Sequence, residues 1–144
     1  MPEQSTSTDL VEIVRGFAVS GVKDLDAMLG FFARNAVWEA VPIGTSFRGV
    51  EEIRGFLTEW LGAYDSYEIE PQEVRGLGGG VVLAVVRQVV RPVGATAESS
   101  IQEAWAFVFE WAGGVVARVT ATQDIDKARA DAQRLGNERG SRTA

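Results

Sequence analysis

SSIQEAWAFVFEWAGGVVARVTATQ, residues 99 to 123, carries its bulk on alternate positions. Ile101, Glu103, Trp105, Phe107, Phe109 and Trp111 fall on odd numbers, whereas the even positions between them are Gln, Ala, Ala, Val and Glu. A period of two is the pattern of a strand with two unlike faces. Residues 99 to 111 therefore read as one long strand, Ala112-Gly113-Gly114 as a tight turn, and VVARVTATQ as the strand that returns beside it.

Working outward, VVLAVVRQVVR (81 to 91) is almost pure strand former. The glycine-rich turn Gly76 to Gly80 precedes it and the loop PVGATAE follows. From Ser66, Tyr67 and Ile69 alternate with Glu68 and Glu70, which adds another strand. Four strands in succession imply an antiparallel meander.

The N-terminal half has the other period. Ile53, Phe56, Leu57, Trp60 and Leu61 repeat at three and four residues and form the clearest helical stripe in the chain. Asp9, with Glu12 three residues on, opens an earlier helix through Leu10, Ile13, Val14, Phe17 and Ala18 that stops near Gly21. Asp24 or Asp26 opens a short second helix, with Leu25, Met28, Leu29 and Phe32 on one face, that ends at Arg34-Asn35. Ala36 to Val41 is a brief strand, Pro42 to Gly49 a loop, and Asp126 to Leu135 a last helix. Residues 1 to 7 and 136 to 144 lack periodicity and are expected to be flexible ends.

Helices around one short strand, then a run of strands, is an α+β order. The expected architecture is a curved antiparallel sheet wrapped around N-terminal helices to form a cone-shaped pocket, with a short C-terminal helix. The chain of 144 residues fits one domain, with a core from about 9 to 135.

Composition narrows the chemistry. There is no cysteine and no histidine, so thiolate catalysis, zinc fingers and the usual neutral-pH general base are all excluded. Carboxylates, arginine, tyrosine and water remain, and no metal or cofactor is expected. A net charge of -6 opposes a nucleic-acid partner. No apolar run approaches the roughly 18 residues of a membrane span, and MPEQSTSTD lacks the pattern of a signal peptide. A cytoplasmic protein without membrane attachment is the expectation.

DLDAMLGFFARNAVWEAVP (24 to 42), FRGVEEIRGFL (47 to 57) and GGVVARVTATQDIDKARA (113 to 130) resemble the SnoaL-like branch of the nuclear-transport-factor-2-like, or cystatin-like α+β, superfamily. The resemblance covers about residues 9 to 135 and implies an active site inside the cone. The fold hosts isomerases, epoxide hydrolases, polyketide cyclases, dehydratases and non-catalytic binding domains, so it does not choose among them. Ketosteroid isomerases of this fold use a tyrosine, an aspartate base and a protonated aspartic acid; Gly16, Ala40 and Trp105 fall at those positions, which argues against that reaction. Limonene-epoxide hydrolases use an Asp-Arg-Asp set, to which Asp124 and Arg87 correspond, with Val89 where the remaining aspartate would be.

The resemblance turns Trp105 inward, and with it Glu103, Phe107 and Phe109; on the first strand Trp38 and Ala40 face in and Glu39 faces out. Arg87, in register with Val85 and Val89, is expected to enter an apolar inner row, where Glu103 or Asp124 would neutralise it. Arg87, Glu103 and Asp124 are thus the candidate catalytic set: Arg87 polarises an oxygen, and a carboxylate handles a proton. A desolvated Glu103 suits a general acid. The alternatives are an internal ion pair for Arg87 and Glu103, and an N-cap for Asp124.

Trp38, Trp60, Tyr64, Trp105 and Phe107 are candidate ligand-lining residues, although aromatics in a small domain also serve as core. GLGGG (76 to 80) joins two strands and lacks the Lys-Ser/Thr of a phosphate loop, so it is a turn. The two Asp-x-Asp sequences lack calcium-loop spacing and read as helix caps.

Two functions follow. One is a cofactor-independent lyase, isomerase or hydrolase acting on a small hydrophobic molecule. The other is a non-catalytic ligand-binding or dimerisation module, which a cavity well below about 300 Å³ would favour. A homodimer is expected through the outer sheet face, taken to comprise Val82, Ala84, Val86, Ala104, Ala106 and Val108.

Overall fold

The computed structural model describes residues 7 to 20, 23 to 96 and 100 to 143. The chain runs α1 (Ser7–Ser20), α2 (Leu25–Leu29), β1 (Phe32–Ala40), a single 3-10 turn (Val41–Ile43), β2 (Thr45–Arg48), α3 (Val50–Gly62), β3 (Tyr64–Gly78), β4 (Val81–Pro92), β5 (Ile101–Ala112), β6 (Val115–Thr122) and α4 (Ile125–Thr143). Six strands form one curved sheet in the order β2-β1-β6-β5-β4-β3. β1 runs parallel to β6, and every other neighbour is antiparallel. The α+β architecture is the one the sequence implies.

Alternation explains the strands. Val86 pairs with Trp105 and Ala84 with Phe107 across β4 and β5, so the even positions of β4 share a face with the aromatic positions of β5. That face is concave. Leu10, Val14 and Phe17 of α1, Leu29 of α2 and Ile53 of α3 are buried against it and make the main core. Asp24 caps α2 by accepting the Ala27 amide proton at 3.1 Å.

The opposite face is buried too. Val81, Leu83 and Val85, with Ala106 and Val108, form a second core under Ala128 and Ala132 of α4. Consequently all six residues from Val81 to Val86 are buried, and the outer face does not offer the open apolar patch expected for a dimer. Val82, Ala84 and Val86 belong to the inner core, Ala106 and Val108 are covered by α4, and Ala104 alone of the six is exposed on the outer face.

Three further boundaries differ from expectation. β1 begins at Phe32, because Phe32 pairs with Val116 of β6 before the register shifts toward Val37; Arg34 and Asn35 are therefore strand. Part of the loop before α3 forms β2, with Val37 opposite Arg48. α4 extends to Thr143, eight residues beyond Leu135. Two glycines, Gly136 and Gly140, weaken its helical propensity, but tertiary contacts hold it. Gly136 lies so close to β3 that a Cβ there would meet the Leu77 carbonyl oxygen at 2.4 Å, and Arg139 Nη2 donates to the Trp111 carbonyl at 2.8 Å.

A bulge in β3 completes the frame. Pro71 pairs with Val86 and Glu73 with Val85, leaving Gln72 as the extra residue. Tyr67 and Ile69 face the concave side before it; after it Val74 faces in, while Glu73 reaches Arg129 of α4 at 2.6 Å.

Candidate functional site

The concave face and the three N-terminal helices enclose a cavity of about 130 Å³. Its wall is apolar and aromatic: Trp38, Trp60, Trp105 and Phe107 all line it, beside Met28 and Leu57. The rings form a continuous chain. Trp38 lies 6.0 Å from Phe107, Phe107 stacks on Trp105 at 6.2 Å, and Trp105 meets Trp60 edge-on at 5.8 Å. Such contacts fix the wall in one arrangement.

Strand parity dictates this placement. Trp105 and Phe107 are two apart on β5, Trp38 and Ala40 two apart on β1, and Trp38 pairs with Val119, itself opposite Phe109. Four of the five expected ligand-lining residues thus reach the cavity. Tyr64 does not; it stands outside, 6.1 Å from Trp60 and 5.7 Å from Tyr67.

The expected catalytic set is not assembled. Arg87 pairs with Ala104 in the register that puts Val86 opposite Trp105, so its side chain leaves the outer face. There it donates to Glu70 at 2.8 Å and to Gln102 at 2.9 Å. The expectation that it enters an inner apolar row is corrected: the row it shares with Val85 is the one beneath α4. Asp124 accepts the Lys127 amide proton at 3.1 Å and is the N-cap of α4.

Glu103 alone of the three has concave parity. Its carboxylate accepts Trp105 Nε1 at 3.3 Å and Gln123 Nε2 at 2.6 Å, and it stands behind Trp105 rather than among the residues that line the cavity. Neither Arg87 nor Asp124 neutralises it. Glu39 occupies the other face of β1, where it binds Arg118 and Ser46, and Ala40 lines the cavity without a carboxylate.

Two polar residues line the cavity that sequence reasoning did not select: Gln88 and Tyr67. Gln88 sits opposite Glu103 on β5 and Ile69 on β3, is 4 % exposed, and counts among the few buried polar residues. Its signal was present, since it is the one polar residue in the even series Val82, Ala84, Val86, Gln88, Val90. Burial pushes the Tyr67 phenol up to about 12, offset in part by a hydrogen bond from Trp60 and reinforced by the charge of Glu103. The phenol is therefore a neutral donor at ordinary pH. Desolvation and then Glu103 also raise Tyr64. Among the described residues, no cluster of three carboxylates offers a metal site, and no helix is long and apolar enough to cross a membrane.

A curved sheet closed by helices over an aromatic cavity defines the class, and the sequence comparison gives the family. The model for the SnoaL-like domain matches residues 13–119; the chain belongs to that family. No curated protein matches the sequence. Among solved structures, a candidate polyketide cyclase from Sinorhizobium meliloti is 27% identical, with 82% of this chain and 100% of that one covered and a TM-score of 0.62. A candidate SnoaL-like polyketide cyclase from Jannaschia sp. CCS1 is 14% identical over 92% and 98% of the two chains, with a TM-score of 0.70. A protein with a ketosteroid isomerase-like fold from Catenulispora acidiphila, solved in complex with trimethylamine, is 16% identical over 84% and 92%, with a TM-score of 0.68.

Proposed function

We propose that this chain is a small-molecule pocket protein of SnoaL-like type, taking a compact, mostly apolar molecule into the cavity, and that Glu103 handles the proton in a cofactor-independent reaction. The carrying observation is the aromatic cavity itself, whose polar lining among the described residues is Gln88 and Tyr67, with Glu103 reaching it only through its hydrogen bond from the lining Trp105. A volume of about 130 Å³ lies below the several hundred Å³ of drug-sized sites. It resembles the apolar cavity of about 150 Å³ that accepts benzene, so the ligand portion it encloses has the size of one six-membered ring. The S. meliloti structure it resembles is a candidate polyketide cyclase, a name that agrees with a ring forming in the pocket.

A carboxylate bonded to the lining Trp105 supports isomerase, lyase or hydrolase chemistry, in which a proton is moved without a redox step. Two observations favour the non-catalytic alternative, the first being that a cavity of about 130 Å³ falls well below the roughly 300 Å³ of ordinary ligand sites. The second is that, with Arg87 and Asp124 engaged elsewhere, Glu103 has no second ionised group across the cavity. Of the surface expected for dimerisation, α4 covers Ala106 and Val108.

Binding of small cyclic compounds, followed by calorimetry, and their conversion, followed by NMR, test both readings. Glu103→Gln is expected to retain binding and to lose turnover of any compound the parent converts. Retained turnover in Glu103→Gln removes Glu103 from the reaction; loss of binding in Trp105→Ala, with the fold intact, supports the cavity as the site.

A further inference from the structure

The pocket reading leaves the chemical class of the ligand open, and the two neutral polar groups inside it narrow that class. We propose that Gln88 and Tyr67 form an uncharged hydrogen-bonding clamp that selects a ligand bearing one neutral oxygen, such as a ketone, lactone or alcohol, over the corresponding carboxylate or amine. The proposal rests on the cavity being a ligand site.

Gln88 is the central observation. It is 4 % exposed and its side chain lines the cavity; because its amide is not among the fully buried side-chain groups without a partner, the exposure it keeps opens to the cavity. An amide on an otherwise apolar cavity wall is costly unless water or a ligand satisfies it. Its neighbours in the same row of β4 are Val86 and Val90, so a third apolar residue would pack there without that cost. A ligand oxygen accepting from the amide N–H supplies such a partner.

Tyr67 provides the second donor. It faces Val90 on β4, one row from the Ile69–Gln88 pair, so the two polar groups are diagonal neighbours on the same concave surface. The Trp60 indole N–H supplies a hydrogen bond to the phenol. An indole N–H only donates, so the phenol oxygen is the acceptor there and its O–H can be directed to another group. Two donors converging from adjacent strands match the two lone pairs of one oxygen.

Charge selects against the ionised analogues. Among the described residues no lysine or arginine lines the cavity, and Arg87 is held by Glu70 and Gln102 on the other side of the sheet. A carboxylate would enter without a counter-charge and beside Glu103. An ammonium would have to compete with Trp105 and Gln123, which already donate to Glu103. A neutral oxygen meets neither obstacle.

The test uses four six-membered-ring probes, cyclohexanone, methylcyclohexane, cyclohexanecarboxylate and cyclohexylammonium, titrated by NMR into the full-length chain and into Gln88→Leu and Tyr67→Phe. The parent is expected to bind cyclohexanone at least about tenfold more tightly than each of the other three. Gln88→Leu is expected to keep methylcyclohexane binding, to lose the ketone preference, and to melt no lower than the parent, since it replaces an amide on an apolar wall with an apolar group. Tyr67→Phe is expected to reduce the preference in part.

A Gln88→Leu chain that still prefers the ketone, or a lowered melting temperature showing that Gln88 has a structural partner, overturns the clamp. A parent that prefers the carboxylate or the ammonium does the same. In each of those results methylcyclohexane still binds and the pocket stands. If no probe binds the parent, methylcyclohexane included, the pocket reading itself fails and takes the clamp with it.

Discussion

Val86 faces Trp105 across β4 and β5, and this one pairing places Arg87 on the opposite side of the sheet from the cavity. Its guanidinium is 44% exposed and bound to a Glu70 carboxylate that is 50% exposed. Surface pairs of this kind contribute about 0–1 kcal/mol. Arg87→Ala is therefore expected to leave small-molecule binding unchanged and to lower stability by no more than about 1 kcal/mol. Titration with a cavity ligand, together with urea denaturation, checks both; weakened binding in this variant would return Arg87 to the site.

Asp124 works through the backbone of α4. Removing the N-cap carboxylate in Asp124→Ala is expected to cost about 1 kcal/mol, whereas Asp124→Asn, which keeps the acceptor oxygen, should recover most of it. Denaturation midpoints distinguish the two variants. A catalytic role would reverse the order, because turnover would be lost in Asp124→Asn while stability was kept.

Tyr67 gives the chain an alkaline signature. Burial raises its phenol from 10.0 to about 12, so the folded chain holds this proton more tightly than the unfolded chain. Its contribution to stability is complete below about pH 10 and is lost as the pH climbs to about 12. Stability measured across that window should fall in the parent, and Tyr67→Phe should remove this part of the fall. An identical slope in both proteins would show that the phenol is not held in its neutral form.

The two glycines of α4 should respond in opposite directions. At Gly136 a Cβ would meet the Leu77 carbonyl oxygen at 2.4 Å, whereas at Gly140 it would meet nothing within 4 Å. Gly136→Ala is expected to destabilise by about 1–3 kcal/mol through overpacking. Gly140→Ala should stabilise by about 0.5–1 kcal/mol, as helix propensity predicts. Thermal melts decide the matter, and equal effects at both positions would mean that α4 does not dock on β3 as described.

Much of this was legible locally. β5 announced itself because its two faces carry different residues; spacing put Trp105 and Phe107 on one face, and the family resemblance turned that face inward. α3 was equally clear, with Ile53 and its partners on one stripe. Glu39, between two inward positions of β1, was placed on the outer face by the same alternation, and Arg118 meets it there. Each of these elements has one buried and one less buried side, and that asymmetry is written into residue order.

β4 has no such asymmetry. Helices cover its even positions and α4 its odd ones, so both series are apolar, and the row containing Arg87 could not be told from the row containing Gln88. Register decides it, and register depends on the partner strand. The end of α4 was hidden for a related reason, since its helical state rests on Gly136 against Leu77 and Arg139 on Trp111, contacts between residues far apart in the chain.

By itself, then, the sequence determined the α+β order and the gathering of the aromatics on one face of β5, which follow from periodicity, while the inward turn of that face and the absence of the isomerase trio followed from the family resemblance. Only the tertiary structure decided that Arg87 and Asp124 leave the cavity, that α4 closes the outer face, and that Gln88 and Tyr67 are its polar groups. Those outcomes depend on which strand pairs with which and on what covers each face, quantities set by packing between distant segments.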